Sequence, residues 1–251
     1  AAGNQGPVSP TFTLTVDTSI PIQTVSIDNY TDHVAPQTGT FFSGSSTNDP
    51  APTLNFTAGG PAGAPLAAGE VVVVYRDGNQ IGVATLVSGT SYIYNDSGLV
   101  DGTTYNYTAY VKNAAGNLGA VSNTMTLTED TTPPISTVSI DSYTDDVGPA
   151  QGNFLSGTTT DDTTPVINLS TGLLPAGDVV AVYRGGVRQG VATFVSSDGI
   201  HNYYTYADSG LASGSTYNYT AYVEDAAGNQ GPVSNSFSLT VDTSVPLGTI
   251  S

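Results

Sequence analysis

The sequence predicts an all-β fold arranged as tandem seven-stranded β-sandwiches. Three observations predict it. The 251-residue chain carries 29 Gly, 15 Pro and 15 Tyr beside abundant Thr, Ser and Val, the composition of short strands joined by tight turns. Apolar residues alternate over short runs, as Tyr217, Tyr219, Ala221 and Val223 do in TYNYTAYV, and no stretch has helical spacing. Finally, long segments recur: AAGNQGPVSPTFTLTVDTSIP at 1–21, AAGNLGAVSNTMTLTEDTTPP at 114–134 and AAGNQGPVSNSFSLTVDTSVP at 226–246. Their matched aspartates, Asp17, Asp130 and Asp242, lie 113 and 112 residues apart, the size of a domain rather than of a solenoid unit.

The repeat sets the boundaries. One unit is expected at 17–129 and a second at 130–241, with 1–16 the last strand of a preceding repeat and 242–251 the first strand of a following one. A lone strand exposes its backbone groups, so these ends are expected either to fray or to be completed by a neighbouring chain. In the second unit the strands are expected at 136–140, 165–170, 178–184, 187–195, 202–207, 215–223 and 234–241. The turns carry Gly where positive φ is needed, as in RDGN (76–79) and AAGN. Seven strands in about 110 residues is the count of an immunoglobulin-like sandwich, whose core can be built without Cys or Trp. Residues 97–111 and 209–223 resemble the E–F corner of fibronectin-III-like domains, and Tyr105 and Tyr217 are expected to bond back to the loop before them.

Charge restricts function. Four Lys and Arg stand against 21 Asp and Glu, a net charge of −17. Such a surface repels phosphate backbones and anionic lipid, which argues against nucleic-acid partners. No apolar run is long enough for a helical membrane span, so no membrane insertion is expected. The absence of Cys removes thiolate chemistry and disulfides. His33 and His201 have no repeated counterparts and read as loop residues, so no enzyme activity is expected.

The acids recur in four places. The first is the DTxxP start: Asp17, Asp130 after Glu129, and Asp242. The second is Asp32, matched by Asp145 and Asp146. The third is Asp49, matched by Asp161 and Asp162. The fourth is Glu224 and Asp225, where the first unit has Lys112 and Asn113. Sandwich topology places Asp32 and Asp49 at the far end of the first unit, beside Glu129 and Asp130, and brings the F–G turn of the second unit to the same linker. Carboxylates gathered in this way repel unless a cation joins them. Ca²⁺, which takes six to eight hard oxygen ligands from flexible loops, fits best; Mg²⁺ retains water, and transition metals favour His or Cys.

The motifs DTTPP, TDD, DDTTP, DAAGN and the Tyr-rich strand together resemble the bacterial immunoglobulin-like repeats of giant surface adhesins and biofilm-associated proteins. The likeness covers essentially the whole chain. It implies an extracellular or cell-surface extender, rigidified by calcium between repeats, with Asp130, Asp145, Asp161, Asp162, Asp225 and Asp242 at the family's acidic positions. The partners are then neighbouring repeats of the same chain, or identical subunits in a fibre. His33, Asn48, Lys112 and Asn113 depart from that pattern and weaken the expected sites of the first unit. Two alternatives stand beside it. One is a self-assembling filament or surface layer in which residues 1–16 complete a neighbour's sandwich. The weaker one is a carbohydrate-binding module using Tyr203, Tyr204 and Tyr206.

Overall fold

The computed structural model describes residues 2–148 and 150–244. The first sandwich is built from β1 (Thr24–Asp32), β2 (Gly39–Phe41), β3 (Ser45–Thr47), β4 (Thr53–Gly59), β5 (Val71–Arg76), β6 (Asn79–Val83), β7 (Thr85–Ser88), β8 (Ser91–Asn95), β9 (Thr104–Lys112), β10 (Leu118–Val121) and β11 (Met125–Glu129). The second repeats the plan with β12 (Val138–Asp145), β13 (Gly152–Phe154), β14 (Thr158–Thr160), β15 (Val166–Gly172), β16 (Val179–Arg184), β17 (Val187–Val191), β18 (Thr193–Ser197), β19 (His201–Ala207), β20 (Ser215–Glu224) and β21 (Phe237–Val241). A single 3-10 turn at Pro61–Gly63 is the sole helical element among the described residues.

In the second sandwich one sheet runs β13-β12-β15-β19-β18 and the other β14-β21-β20-β16-β17. The first has the same order, β2-β1-β4-β8-β7 and β3-β11-β9-β5-β6, with β10 added against β9. These are Ig-like sandwiches: in the second, every pairing is antiparallel except that of the last strand β21, which runs parallel to the short strand β14, and β11 pairs in the same way with β3 in the first. The core follows the pleat. In β20, Tyr219, Ala221 and Val223 point inward and meet Tyr143, Ile167, Leu169, Val182, Phe237 and Leu239.

The turns obey their chemistry. Asp77 and Gly78 both have positive φ, 50° and 79°, and Gly185 and Gly186 repeat this at 58° and 81°. That is the primed turn whose twist suits a two-residue hairpin between β5 and β6, or β16 and β17. Both expected tyrosine corners form: the Val100 N–H donates to Tyr105 Oη at 2.9 Å, and the Ala212 N–H to Tyr217 Oη at 2.7 Å.

Three expectations need correction. The run 187–195 divides into β17 and β18, which lie in different sheets. Ala192 makes the crossing, buried between them with its N–H on Val180 O at 2.8 Å. The second sandwich has ten strands among the described residues rather than seven, because β13 and β14 are too short to show periodicity and β18 was merged with β17. Residues 2–16 form no strand, since the last-strand positions of both sandwiches are already filled by β11 and β21. Phe12, Leu14 and Val16 are 87%, 75% and 77% exposed, whereas their repeat counterparts Phe237, Leu239 and Val241 are at most 1% exposed. Of the expected strand at 242–251, residues 242–244 form none and the rest lies outside the described residues.

Cα packing divides the chain into two units. One holds residues up to 30, 53–95 and 106–125; the other holds 31–52, 96–105 and everything from 126 onward. The acidic positions 32, 49, 129, 130, 178 and 225 all belong to the second unit.

Candidate functional site

Thr47 is the hub of the first acidic group. Parallel pairing of β3 with β11 sets Thr47 opposite Glu129, and the Asp130 N–H donates to Thr47 O at 2.8 Å. The Thr47 hydroxyl donates to Asp32 Oδ2 at 2.6 Å and accepts the Asp49 N–H at 3.1 Å. Asp32 Oδ1 takes the Val34 N–H at 2.7 Å, and Asp49 Oδ1 takes the Ala51 N–H at 2.9 Å. Asp49 Oδ2 receives the His33 N–H and also lies 2.8 Å from His33 Nδ1. Asp32, Asp49, Glu129 and Asp130 are therefore grouped around Thr47, and Asp32 and Asp49 are already knitting the loop between β1 and β4.

The second sandwich copies this arrangement. The Thr160 hydroxyl donates to Asp145 Oδ2 and accepts the Asp162 N–H at 3.0 Å, while Asp242 N–H donates to Thr160 O at 2.8 Å. Asp145 also caps Val147, and Asp162 caps Thr164. Of the doubled acids, Asp146 is exposed; Asp161 is half-buried and packs against Gly148. Asp242 bonds to Ser244 outside this group.

Glu129 differs from all of these. The inward face of β11 is Met125, Leu127 and Glu129, so an acid occupies a core position that Val241 fills in the second sandwich. It is 1% exposed, and neither carboxylate oxygen has a hydrogen-bond partner. Asn48, 8% exposed, likewise leaves its Oδ1 without a partner. Burial, reinforced by the charges of Asp49, Asp101, Asp32 and Asp130, pushes the Glu129 carboxyl up to about 7. Burial also raises Asp32, opposed by its bonds to Thr47 and Val34.

A second acidic group lies at the linker. Asp130, Asp178 and Asp225 line an open cleft of about 360 Å³ with Pro133, Pro134 and Ile135, all within the second unit. Asp225 caps the AAGN turn: its Oδ1 accepts the N–H groups of Ala227 and Asn229, each at 2.9 Å. Asn229 Nδ2 donates both to Asp225 Oδ2 at 2.9 Å and to Asp130 O at 2.7 Å. Gln37 Nε2 reaches Asp225 O at 3.4 Å. Gly228, at φ 93°, leaves room for it, since a side chain there would meet Gln37 at 3.1 Å. Asp178 is raised by burial and then by the charges of Asp225 and Asp130, a sign of uncompensated negative potential.

The same device recurs at the preceding linker, inside the first unit. Asp17, Glu70 and Asn113 line a cleft of about 330 Å³, and Asn117 Nδ2 donates to Asp17 O at 2.9 Å. Asp17 is exposed and held below the usual carboxylate range by the Ser19 hydroxyl and N–H. With Asn113 in place of Asp225 this copy carries one acid fewer.

Glu224 is not part of either group. It ends β20 with its carboxylate fully buried, paired with Arg188 at 2.8 Å and accepting from Tyr183 Oη at 2.9 Å and Gln230 Nε2 at 3.0 Å. The proposed aromatic platform is also divided by the pleat. Tyr204 is buried against Phe194 and Tyr206 lies over Gly190, while Tyr203 is exposed and donates to Asp198. Among the described residues, no group of three or more His, Asp or Glu side chains is placed to hold a metal ion. An ion at either group would need amide, main-chain or water oxygens as well. Sequence reasoning missed Asp178, Asn48 and the Asn117/Asn229 clamps. The repeat held the signal for the first and last: an acid, Glu70 or Asp178, precedes the core strand in both units, and the AAGN asparagine stands 100 residues after Asp17 and 99 after Asp130.

No family model matches the chain. It is 29% identical over 251 residues to exoglucanase B of Cellulomonas fimi, covering 97% of this chain and 19% of that protein. It is 34% identical over 168 residues to chitinase A1 of Niallia circulans, covering 67% of this chain and 21% of that one. The chain thus spans about a fifth of the length of the curated relatives it matches. Among solved structures it is similar to the N-terminal Ig1-2 module of the Drosophila receptor protein tyrosine phosphatase DLAR, at 11% identity and a TM-score of 0.27, covering 88% of this chain and 98% of that one. Among the described residues no helix is long and apolar enough to cross a membrane.

Proposed function

We propose that this chain is a non-catalytic extender of an extracellular bacterial adhesin or fibre, in which calcium at the linkers stiffens a row of Ig-like repeats. The observation that carries this reading is the recurrent linker device. At both DTxxP segments an AAGN asparagine grips the linker aspartate's carbonyl beside a cleft lined by acids. Asp130, Asp178 and Asp225, which line the linker cleft without forming a ready-made cage, would have to draw together around the ion, with main-chain oxygens and water completing the shell. A bound Ca²⁺ supplies positive charge to carboxylates that otherwise repel. The Asn229 amide on the Asp130 carbonyl ties the linker to the repeat it leads into.

Small-angle scattering and thermal melting with calcium and with EGTA test the reading. Calcium should extend the maximum dimension and raise the melting temperature, and D178N/D225N should abolish both changes. Identical curves in calcium and EGTA would overturn it.

Two observations favour related settings. The matches to parts of an exoglucanase and a chitinase fit a spacer between domains of a longer glycan-acting protein. Pull-down on insoluble cellulose and chitin separates a spacer, which stays in solution, from a carbohydrate-binding module, which sediments. The exposed alternation of Phe12, Leu14 and Val16 fits a strand donated to a sandwich outside the two described. A filament of identical subunits predicts concentration-dependent sedimentation that disappears when residues 1–16 are removed.

A further inference from the structure

We propose that the chain cuts itself at one peptide bond, Asp49–Pro50, with the Asp49 carboxylate as nucleophile and His33 as the residue that positions it. The reaction needs no metal and stands apart from the linker reading above.

Asp49–Pro50 is the sole Asp–Pro bond in the sequence. Its amide is tertiary, and the ring nitrogen of proline leaves as a basic secondary amine. An aspartate oxygen that attacks its own carbonyl carbon closes a five-membered ring, and only the two side-chain torsions must be set for it. Both oxygens are already held. The Ala51 N–H donates to Asp49 Oδ1 at 2.9 Å, and the ring closed by that hydrogen bond contains the Asp49–Pro50 bond, so Oδ1 is folded back along the segment to be cut. Oδ2 takes the His33 N–H at 2.8 Å and lies 2.8 Å from His33 Nδ1. An ionised carboxylate only accepts, so Nδ1 carries the proton. Asp49 is 4% exposed, whereas the His33 side chain is 54% exposed and borders the carboxylate with solvent. A reacting group fixed in this way has a far higher effective concentration than a free one.

The second sandwich is an internal control. Asp162 bonds to Thr160 and Thr164 as Asp49 does to Thr47 and Ala51, but Thr163 follows it and Asp146 replaces His33. Two residues peculiar to the first sandwich, His33 and Pro50, therefore meet at one aspartate.

Oδ1 bonds to the Asp49 carbonyl carbon and the bond from that carbon to the Pro50 nitrogen breaks. The electron pair goes to nitrogen, which takes a proton from solvent. Water then opens the cyclic anhydride, leaving two carboxylates on Asp49 and releasing two protons: one replaces that taken from solvent, the other charges the Pro50 amine. One water is consumed, and no oxidant or reductant is needed. The nicked chain stays assembled, since β1 still pairs with β4 and β3 with β11.

Mass spectrometry under denaturing conditions tests this on the whole chain held at pH 5 in EGTA, either folded or in urea. The folded chain should yield fragments of 49 and 202 residues, the second beginning at Pro50, at least about tenfold faster than the chain in urea. P50T, which installs the residue of the second sandwich, should stay whole. H33A should slow the cut about tenfold while still melting cooperatively, and H33N, which restores a side-chain donor, should recover most of the rate. Equal rates in urea would reduce the cut to ordinary acid lability and overturn the inference. So would cleavage of P50T at the same place, or H33A and H33N cutting at one common rate. The linker reading is scored separately, because EGTA is present throughout and D178N/D225N should be cut as the parent is.

Discussion

Asn229 donates its side-chain amide to the main-chain oxygen of Asp130 at 2.7 Å, across 99 residues of sequence. Asn117 does the same to Asp17 at 2.9 Å. The DTxxP segments at Asp17 and Asp130 are thus each tied to the F–G turn of the repeat that follows, so each of these linkers is anchored on its downstream side. Asn229 also steadies Asp225, which places the clamp and the acidic cleft under one side chain.

N229A removes two hydrogen bonds, one of them to a carboxylate. A loss of about 1–3 kcal/mol is expected, read as a lower urea midpoint. Calcium affinity should fall with it, because Asp225 loses the group that orients it. N117A should destabilise the first sandwich and leave the calcium dependence proposed for Asp130, Asp178 and Asp225 unchanged.

Glu129 makes stability depend on pH. Its folded value near 7 lies above the ordinary 4.5, so without metal the unfolded chain ionises first as pH rises. The stabilising contribution is complete below about pH 4.5 and is lost as pH climbs to about 7, a difference on the order of 3 kcal/mol. E129Q, melted in EGTA across that range, should lack this slope. A parent and variant with parallel pH profiles would show that Glu129 does not titrate in the folded state.

The Arg188–Glu224 pair is internal to the second sandwich. Burial and Glu224 together push the Tyr183 hydroxyl up to about 12, which keeps it a donor at any physiological pH. R188A leaves a buried carboxylate with two neutral donors and is expected to cost about 3 kcal/mol or more. R188M/E224L, which removes both charges, should recover much of that loss in a denaturant titration.

The tyrosine corners predict a smaller effect. Y217F deletes the acceptor of the Ala212 N–H and should cost about 1 kcal/mol, and Y105F should do the same in the first sandwich. Chemical denaturation in EGTA reads this without contribution from metal.

The repeat made most of the fold legible. Registering Asp17, Asp130 and Asp242 located the linkers, and alternation in TYNYTAYV identified the central strand and its buried face. The tyrosine corner followed from the resemblance of residues 97–111 and 209–223 to the E–F corner of fibronectin-III-like domains. Three-residue strands such as β3 and β14 were not legible, because they are shorter than any period. Their effect is large, since parallel pairing with β11 and β21 brings Thr47 and Thr160 to the acids. The sequence also pointed to Glu224 as half of an acidic pair, although alternation along β20 and an arginine in the neighbouring hairpin make it an ion-pair residue. Asp178 was passed over because it stands alone, without the doubling that marked the other acids. Its importance comes from folding, which sets it beside Asp130 and Asp225.

Calorimetric melting of the whole chain at pH 7.5, in EGTA and at a calcium concentration about a hundredfold above the dissociation constant, tests the central claim most directly. Preferential binding of one ion to the folded state at that ratio adds about 2.7 kcal/mol, so the transition should move up by several degrees in the parent and not in D178N/D225N. A parent whose transition sits at the same temperature in both buffers would contradict the account.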